Sequence, residues 1–338
     1  MLNEPLARNK KGEINLSQSA EPYIPPAMQK GSGAAVSKSR FRKQLKRDKY
    51  LYFMLIPVAV FFVLFKYGPL FGEIIAFKNY RLADGIWGSE WVGLEQFRKL
   101  FASPEFYTVL RNTLLLNLYS LVFAFPVPII LAILLNEVTR SSYKRVLQNL
   151  LYIPHFISWV VLGSIVIAIL SPSTGIVNQL MQWVGLEPIY FMADTFWWPV
   201  SFIASSIWKE AGFGTILYLA AISGIDPTLY EASKIDGASK FRQIWHVTLP
   251  GIRGTAAILL ILRVGQMMDV GFEQVYAMKN SAVSQVAEVI STYVYTRGIE
   301  NLQYSYTTAL GLFQSLIAFI LVISVNRLIK TMGERGLW

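Results

Sequence analysis

The stretch YEASKIDGASKFRQIWHVTLP (Tyr230–Pro250) interrupts two long apolar runs with a patterned polar segment. It carries five charged residues and one of the chain's two histidines. Asp226 and Pro227, just upstream, are typical of a helix N terminus, and Gly237 allows a turn or a close approach of another surface. The pattern predicts two short amphipathic helices. Such helices suit either docking into a groove of another protein or lying on a membrane, so the flanking runs must be placed first.

Composition places the flanking runs in a membrane. Of 338 residues, 54% are hydrophobic and 15% are charged, and the mean hydropathy is +0.42, whereas soluble domains carry about 25% charged residues. A soluble all-α protein of this size would have to hide several nearly uncharged helices. The chain has no cysteine, which excludes disulfides, thiolate zinc sites and a cysteine nucleophile. We therefore expect an all-α integral membrane protein.

Runs of about 20 apolar residues predict membrane-spanning helices. The second run contains Pro126 and Pro128, so a kink or a broken helix is expected there. Six spans are predicted, over residues 50–72, 111–136, 146–170, 197–223, 254–276 and 304–328.

Lysine and arginine residues indicate the orientation of these spans. The first 49 residues hold eleven, and the segments 137–145, 224–253 and 327–338 hold three, four and three. The opposite side holds five in 66–110, none in 171–196 and two in 277–303. The positive-inside rule places the richer side, with both termini, in the cytoplasm. The net charge of +10 therefore indicates lipid headgroups rather than nucleic acid.

Three domains follow from these patterns. Residues 1–49 are predicted to be a disordered basic cytoplasmic tail, and not a signal peptide, because the apolar run begins only at residue 50. Residues 50–328 form the predicted six-helix transmembrane domain, which includes the polar segment 224–253. Residues 329–338 form a short cytoplasmic C-terminal tail.

The polar segment resembles the EAA loop of binding-protein-dependent ABC importer permeases, and we call residues 224–253 the EAA-like segment. The shared pattern is E-A-x-x-x-D-G-A followed by L-P; Ser233 and Val247 depart from it slightly. The resemblance implies a type I importer permease fold with a cytoplasmic coupling helix that docks on an ATPase subunit. The residues it assigns to this coupling are Tyr230, Glu231, Ala232, Asp236, Gly237, Ala238, Leu249 and Pro250.

The resemblance extends to one carbohydrate-importing branch of these permeases, which takes up oligosaccharides or polysaccharide fragments, uronates among them. It rests on the blocks FKYGPLFGEIIAFKNY (65–80), LYIPHFISWVV (151–161) and WKEAGFGTILYLAAISGIDPTLYEA (208–232). It implies two ATP-binding cassette subunits, a second homologous permease, an extracytoplasmic sugar-binding protein and a bacterial inner-membrane location.

Catalytic and cofactor sites are not expected in the chain. It lacks the G-x-x-x-x-G-K-[ST] phosphate-binding loop, so ATP and Mg2+ are expected on the partner ATPase subunits. His155 and His246 lie on different segments without a second ligand at metal spacing. No nucleophile, base and acid set is visible, so we expect a transport subunit and not an enzyme.

Polar residues inside the predicted spans are candidates for a sugar pathway, because such residues face protein or a water-filled cavity. Arg263, Gln266, Asp269 and Glu273 would share one face of a continuous helix. Ion pairs that hold helices together, involving Arg263 or Lys209, are the alternative. The predicted pathway residues are Trp208, Gln266, Asp269, Glu273 and Gln314.

A self-sufficient secondary transporter or channel is the alternative function. It would need its own coupling-ion site and often shows internal repeats, of which none is apparent. In such a protein the E-A…D-G-A pattern would also have no known function.

Overall fold

The computed structural model describes residues 47–334 and 336–337. The predicted basic tail, residues 1–49, therefore lies outside the described residues except for its last three. The chain divides into two units between Tyr67 and Gly68. The first unit contributes helix α1 (Lys49–Phe62), which continues as a π-helical turn (Val63–Tyr67).

In the second unit, the described residues form helices and one small antiparallel hairpin of β1 (Lys78–Asn79) and β2 (Glu90–Trp91). Its longer helices are α4 (Glu95–Ala102), α5 (Pro104–Tyr119), α6 (Pro126–Glu137), α7 (Ser141–Tyr152), α8 (Trp159–Ile169), α9 (Ile176–Trp183), α10 (Trp197–Ser223), α11 (Pro227–Ile235), α13 (Leu249–Gly265), α14 (Phe272–Met278) and α17 (Tyr304–Thr331). Five short helices complete the described set: α2 (Gly68–Leu70), α3 (Gly85–Gly88), α12 (Lys240–Gln243), α15 (Ser284–Ala287) and α16 (Ile290–Val294). The last π-helical turn (Tyr295–Glu300) follows α16.

Within the described residues, four helices are long and apolar enough to cross a membrane, or five if one bent pair counts as a span. The four are Lys49–Phe77, Pro104–Glu137, Lys240–Gly265 and Tyr304–Thr331. The remaining predicted span, 197–223, is the unbroken helix α10, whose 27 residues are long enough to cross but include Lys209 and Glu210. The multi-span helical architecture matches expectation, while the count of six stays a prediction.

The third predicted span, 146–170, is not a straight helix. Helices α7 and α8 meet at an angle of 104° across a short 3-10 turn (Ile153–Phe156). Pro154 cannot continue an α-helix without losing a hydrogen bond, and the Ser158 hydroxyl then caps α8 by accepting from the Val161 amide at 3.4 Å. A proline followed by a new N-cap therefore turns one apolar run into two helices.

The fifth predicted span, 254–276, has different ends in the structure. A single helical stretch runs from Lys240 to Gly265, so the helix begins inside the EAA-like segment and the predicted start at residue 254 is wrong. The helix stops at Gly265, residues 266–271 form turns, and α14 follows. Gly271 has φ +87°, a left-handed conformation that glycine adopts readily.

Three prolines share one backbone arrangement. Five-residue π-helical turns end two residues before Pro69, Pro126 and Pro250. In the latter two, the residue before the proline bonds to the carbonyl five positions back, as Phe125 does to Ser120 at 3.0 Å. The wider turn accommodates a ring that would otherwise clash with the carbonyl four residues back. The kink predicted at Pro126 and Pro128 is thus a wide turn within a continuous stretch.

The core lies where α5, α8, α10 and α14 meet. Its largest side chain is Trp198, which is fully buried and donates its indole N–H to the Met278 carbonyl at 3.0 Å. A second cluster joins α6, α10 and α13 through Ala132, Tyr218 and Ile252. Helix α10 therefore contributes to both clusters and organises the second unit.

Close approach of α10 to the bend between α7 and α8 predicts a glycine requirement. A Cβ at Gly212 would collide with the Leu151 carbonyl group, whereas a Cβ at Gly311 on α17 meets nothing within 4 Å. We expect Gly212→Ala to destabilise the fold by about 1–3 kcal/mol, as overpacking does. Thermal unfolding of the purified protein in mild detergent would show a lower midpoint for Gly212→Ala and little change for Gly311→Ala. Equal midpoints for the two variants would contradict the close contact.

Candidate functional site

The EAA-like segment begins as a capped helix. The Asp226 carboxylate accepts from the Thr228 amide at 2.9 Å, and Pro227 occupies the first helical position of α11. This hydrogen bond lowers the pKa of the exposed Asp226 carboxyl below its ordinary value. Gly237 follows the helix with φ +74°, and the Ser239 hydroxyl caps the next helix by accepting from Arg242 at 3.4 Å. The predicted first helix and glycine turn are present, whereas the predicted second short helix is the start of the long stretch Lys240–Gly265.

The segment is anchored by one hydrogen bond from α11 and by two ion pairs. The Tyr230 hydroxyl lies 3.0 Å from the hydroxyl of the buried Thr248, and the Lys240 ammonium lies 2.8 Å from Glu137 at the end of α6. Arg253 pairs with Glu334 beyond α17. The segment is therefore tied to the ends of two other long helices.

The outer surface of the segment is open and partly apolar. No residue of α11 is buried, and the side chains of Ile235, Phe241 and Trp245 are 86%, 74% and 60% exposed. The Phe241 and Trp245 rings stack with centroids 6.4 Å apart. Of the residues assigned to coupling, Tyr230, Ala238 and Leu249 are half-buried, and Glu231, Ala232, Asp236, Gly237 and Pro250 are exposed.

Inside the second unit, Lys209 closes the break between α7 and α8. Its ammonium group donates to the carbonyls of His155 at 2.5 Å and Ile157 at 2.7 Å and lies over the Trp159 ring at 5.4 Å. These carbonyls have no helical partner at the bend, and an unsatisfied carbonyl at membrane depth costs several kcal/mol. Lys209 is almost fully buried, so its contacts are chiefly with backbone rather than with Glu210, 3.8 Å away.

Glu210 and His155 form the polar wall next to this bend. The His155 Nδ1 atom lies 2.9 Å from the Glu210 carboxylate, and its ring stacks on Phe213 with centroids 4.0 Å apart. Glu210, Phe213 and Arg263 line a cavity of about 270 Å³ together with Ser120 and Ser206. The Arg263 guanidinium donates to the Ser120 hydroxyl at 2.6 Å. Both a cation and an anion therefore face one cavity between α10, α13 and the π-helical turn at Ser120–Ala124.

The polar stripe predicted on the fifth span does not exist as one helix face. Arg263 lies on α13, Gln266 and Asp269 lie in the break, and Glu273 lies on α14. The Asp269 carboxylate accepts from the Gly271 amide at 2.9 Å, which stabilises the turn that interrupts the helix. The 100° periodicity used for the stripe applies only to a continuous helix.

Two side-chain amides satisfy the carbonyls that this break leaves free. Asn117 on α5 donates to the Met267 carbonyl at 2.9 Å and the Asp269 carbonyl at 3.4 Å, and Gln314 on α17 donates to the Met268 carbonyl at 2.6 Å. Gln314, predicted as a pathway residue, thus binds backbone, while Trp208 is 45% exposed on α10. Sequence reasoning missed Asn117; an asparagine in the middle of an apolar run was the available signal.

Comparisons with known proteins agree with this geometry. A family model described as "Binding-protein-dependent transport system inner membrane component" matches residues 112–334. Protein LplB of Bacillus subtilis is 48% identical over 87% of this chain and 92% of its own. The polygalacturonan/rhamnogalacturonan transport system permease protein YteP of the same organism is 46% identical over 90% of this chain and 96% of its own.

A solved structure shows the fold as well. The crystal structure of a bacterial alginate ABC transporter, in complex with a periplasmic protein bound to alginate pentasaccharide, contains a chain that is 40% identical to this one. The match covers 88% of this chain and all of that chain, with a TM-score of 0.81. The helical arrangement described above is therefore shared with a transporter subunit.

Loss of the amide at the helix break is expected to destabilise the protein. Asn117→Leu would leave the Met267 and Asp269 carbonyls without their donor, at a cost of about 1–3 kcal/mol. Thermal unfolding in detergent would show a lower midpoint for this variant. Asn149→Leu, at an exposed position of α7, is the matched control. A midpoint as high as the control's would show that the break needs no side-chain donor.

Proposed function

The chain belongs to the family of binding-protein-dependent transport system inner membrane components, and we propose that it forms half of the pathway of an ATP-driven importer of acidic oligosaccharides. The main observation behind this proposal is that the EAA-like segment is exposed and continues directly into the long helix that contains α13. ATP and Mg2+ belong to separate ATPase subunits in this proposal, so the chain transports and does not catalyse. The partners are two ATPase subunits, a second homologous permease and an extracytoplasmic sugar-binding protein.

The substrate class is proposed from relatives that match this chain over most of its length. YteP is named for polygalacturonan and rhamnogalacturonan, and the alginate transporter is described as importing an acidic polysaccharide. All of these substrates contain uronate residues. The cavity that holds Arg263 and Glu210 suits such a ligand, because a guanidinium binds carboxylate and a carboxylate accepts from hydroxyl groups.

Coupling to the ATPase is proposed through α11 and the start of the following helix. The apolar side chains of Ile235 and Phe241 are exposed beside a glycine turn, which suits insertion of a helix into a groove. The chain from Lys240 to Gly265 is one helical stretch. Closure of the ATPase subunits would thereby displace α13 and the walls of the cavity beside Arg263.

The proposal also includes the orientation of the chain in the membrane. The excess of Lys and Arg in the EAA-like segment and the termini supports a cytoplasmic position for them in a bacterial inner membrane. The alternative, a secondary transporter or channel, gives no reason for an open apolar surface on α11. We therefore favour the importer.

Uptake of a defined sugar tests the substrate class. The complex is assembled in proteoliposomes with its ATPase subunits, second permease and binding protein. It is expected to import galacturonate trisaccharide only when ATP is present on the side of the membrane that carries the ATPase subunits. Maltotriose, of the same length but uncharged, is the matched control and should be imported at least about tenfold more slowly. Equal uptake of the two sugars would contradict an acidic substrate, and uptake without ATP would favour the secondary transporter.

Substitutions in the turn of the EAA-like segment test coupling. Asp236→Lys reverses an exposed charge, and Gly237→Pro forbids the φ of +74° that the turn uses. Each is expected to reduce ATP-driven uptake at least about tenfold while the complex still hydrolyses ATP. Glu187→Lys, an equally exposed charge reversal outside the segment, is the control. Normal uptake in the Asp236 and Gly237 variants would refute the proposed coupling.

A further inference from the structure

Three aromatic rings form a compact platform beside the helix break. Phe272 and Tyr276 stack on α14 with centroids 5.0 Å apart, and Tyr295, from the last π-helical turn, lies 5.1 Å from Phe272 and 5.8 Å from Tyr276. Tyr276 is nevertheless 51% exposed. Two separate segments therefore combine to hold one open aromatic surface in place.

Charged groups border this platform. The Lys279 ammonium lies 5.8 Å from the centre of the Tyr276 ring and 3.1 Å from the Glu288 carboxylate. Glu273, next to Phe272, is exposed and forms no ion pair with any residue of the described chain. Charges are unfavourable against acyl chains and usually face protein or water in membrane proteins. The bordering charges therefore favour a platform that faces protein or water over one that faces acyl chains.

The position of α14 identifies the side of the membrane. Helix α13 begins in the EAA-like segment and is about 24 Å long. The apolar layer of a membrane is about 30 Å thick, so α14, which follows α13, lies near the far boundary of that layer. The opposite face of α14 is buried against the bundle: Gln274 donates to the Phe202 carbonyl at 2.8 Å, and Met278 accepts from Trp198. The platform is on the face that the chain's own helices leave open.

We propose that the Phe272–Tyr276–Tyr295 platform, with Glu273 and Lys279, is a sugar-binding subsite at the extracytoplasmic mouth of the pathway. A glycosyl ring packs against the exposed tyrosine, because sugar C–H groups pack on an aromatic face as other apolar groups do. Glu273 accepts hydrogen bonds from hydroxyl groups, and Lys279 contacts a uronate carboxylate. This subsite, which rests on the proposed import function, would receive the sugar before it reaches the cavity at Arg263.

Transport kinetics of the assembled complex test the subsite. With galacturonate trisaccharide delivered by the binding protein, Tyr276→Ala is expected to raise KM about three- to tenfold with little change in maximal rate, and Tyr276→Phe to retain the wild-type KM. Trp183→Ala removes an aromatic side chain of α9 that is also exposed, at 83%, and is the control. An unchanged KM in Tyr276→Ala would overturn the subsite.

A second variant serves where Tyr276→Ala does not assemble. Tyr276→Trp places a fluorophore on the platform, and its emission, after subtraction of the wild-type signal, is expected to change when galacturonate trisaccharide is added to the complex. No change would overturn the proposal. Failure of the wild-type complex to import any sugar would instead refute the proposed function, so the two failures are distinguishable.

Discussion

Broken helices in a membrane require protein donors for their free carbonyls. Water is not available in the apolar layer, so each interrupted turn depends on side chains from elsewhere in the fold. Lys209 meets this requirement at the bend between α7 and α8, and Asn117 with Gln314 meets it at the break after α13. These three contacts join α5, α10 and α17 to the two interruptions. Because the cavity and the aromatic platform lie beside these interruptions, both sites depend on the same contacts.

The interruptions also explain how far sequence analysis could go. Apolar runs, basic loops and the E-A…D-G-A pattern were sufficient for the multi-span helical fold, the family and the first helix and glycine turn of the EAA-like segment. The structural roles of Asp226, Pro227 and Gly237 follow directly from residue type, because each affects only the backbone next to it. Most of the fold and the exposed surface of the segment were therefore predictable.

The interior could not be predicted in the same way, because its polar residues act over long distances in sequence. Asn117 bonds to Met267, and no periodicity links two positions so far apart. The supposed stripe through Gln266 and Asp269 failed because a glycine and an aspartate turn end the helix. A charged side chain in an apolar run signals an internal contact, but not whether its partner is backbone, another side chain or a ligand.

The wide turns before Pro126 and Pro250 affect the geometry of everything beyond them. A π-helical turn contains one residue more than an α-helical turn, so the side chains that follow are rotated by about 100° relative to a regular helix. Arg263, which follows the turn at Ile244–Thr248, faces the cavity in this shifted register. Deleting one residue from Ile244–Thr248 would therefore turn a different face of the same helix toward the cavity.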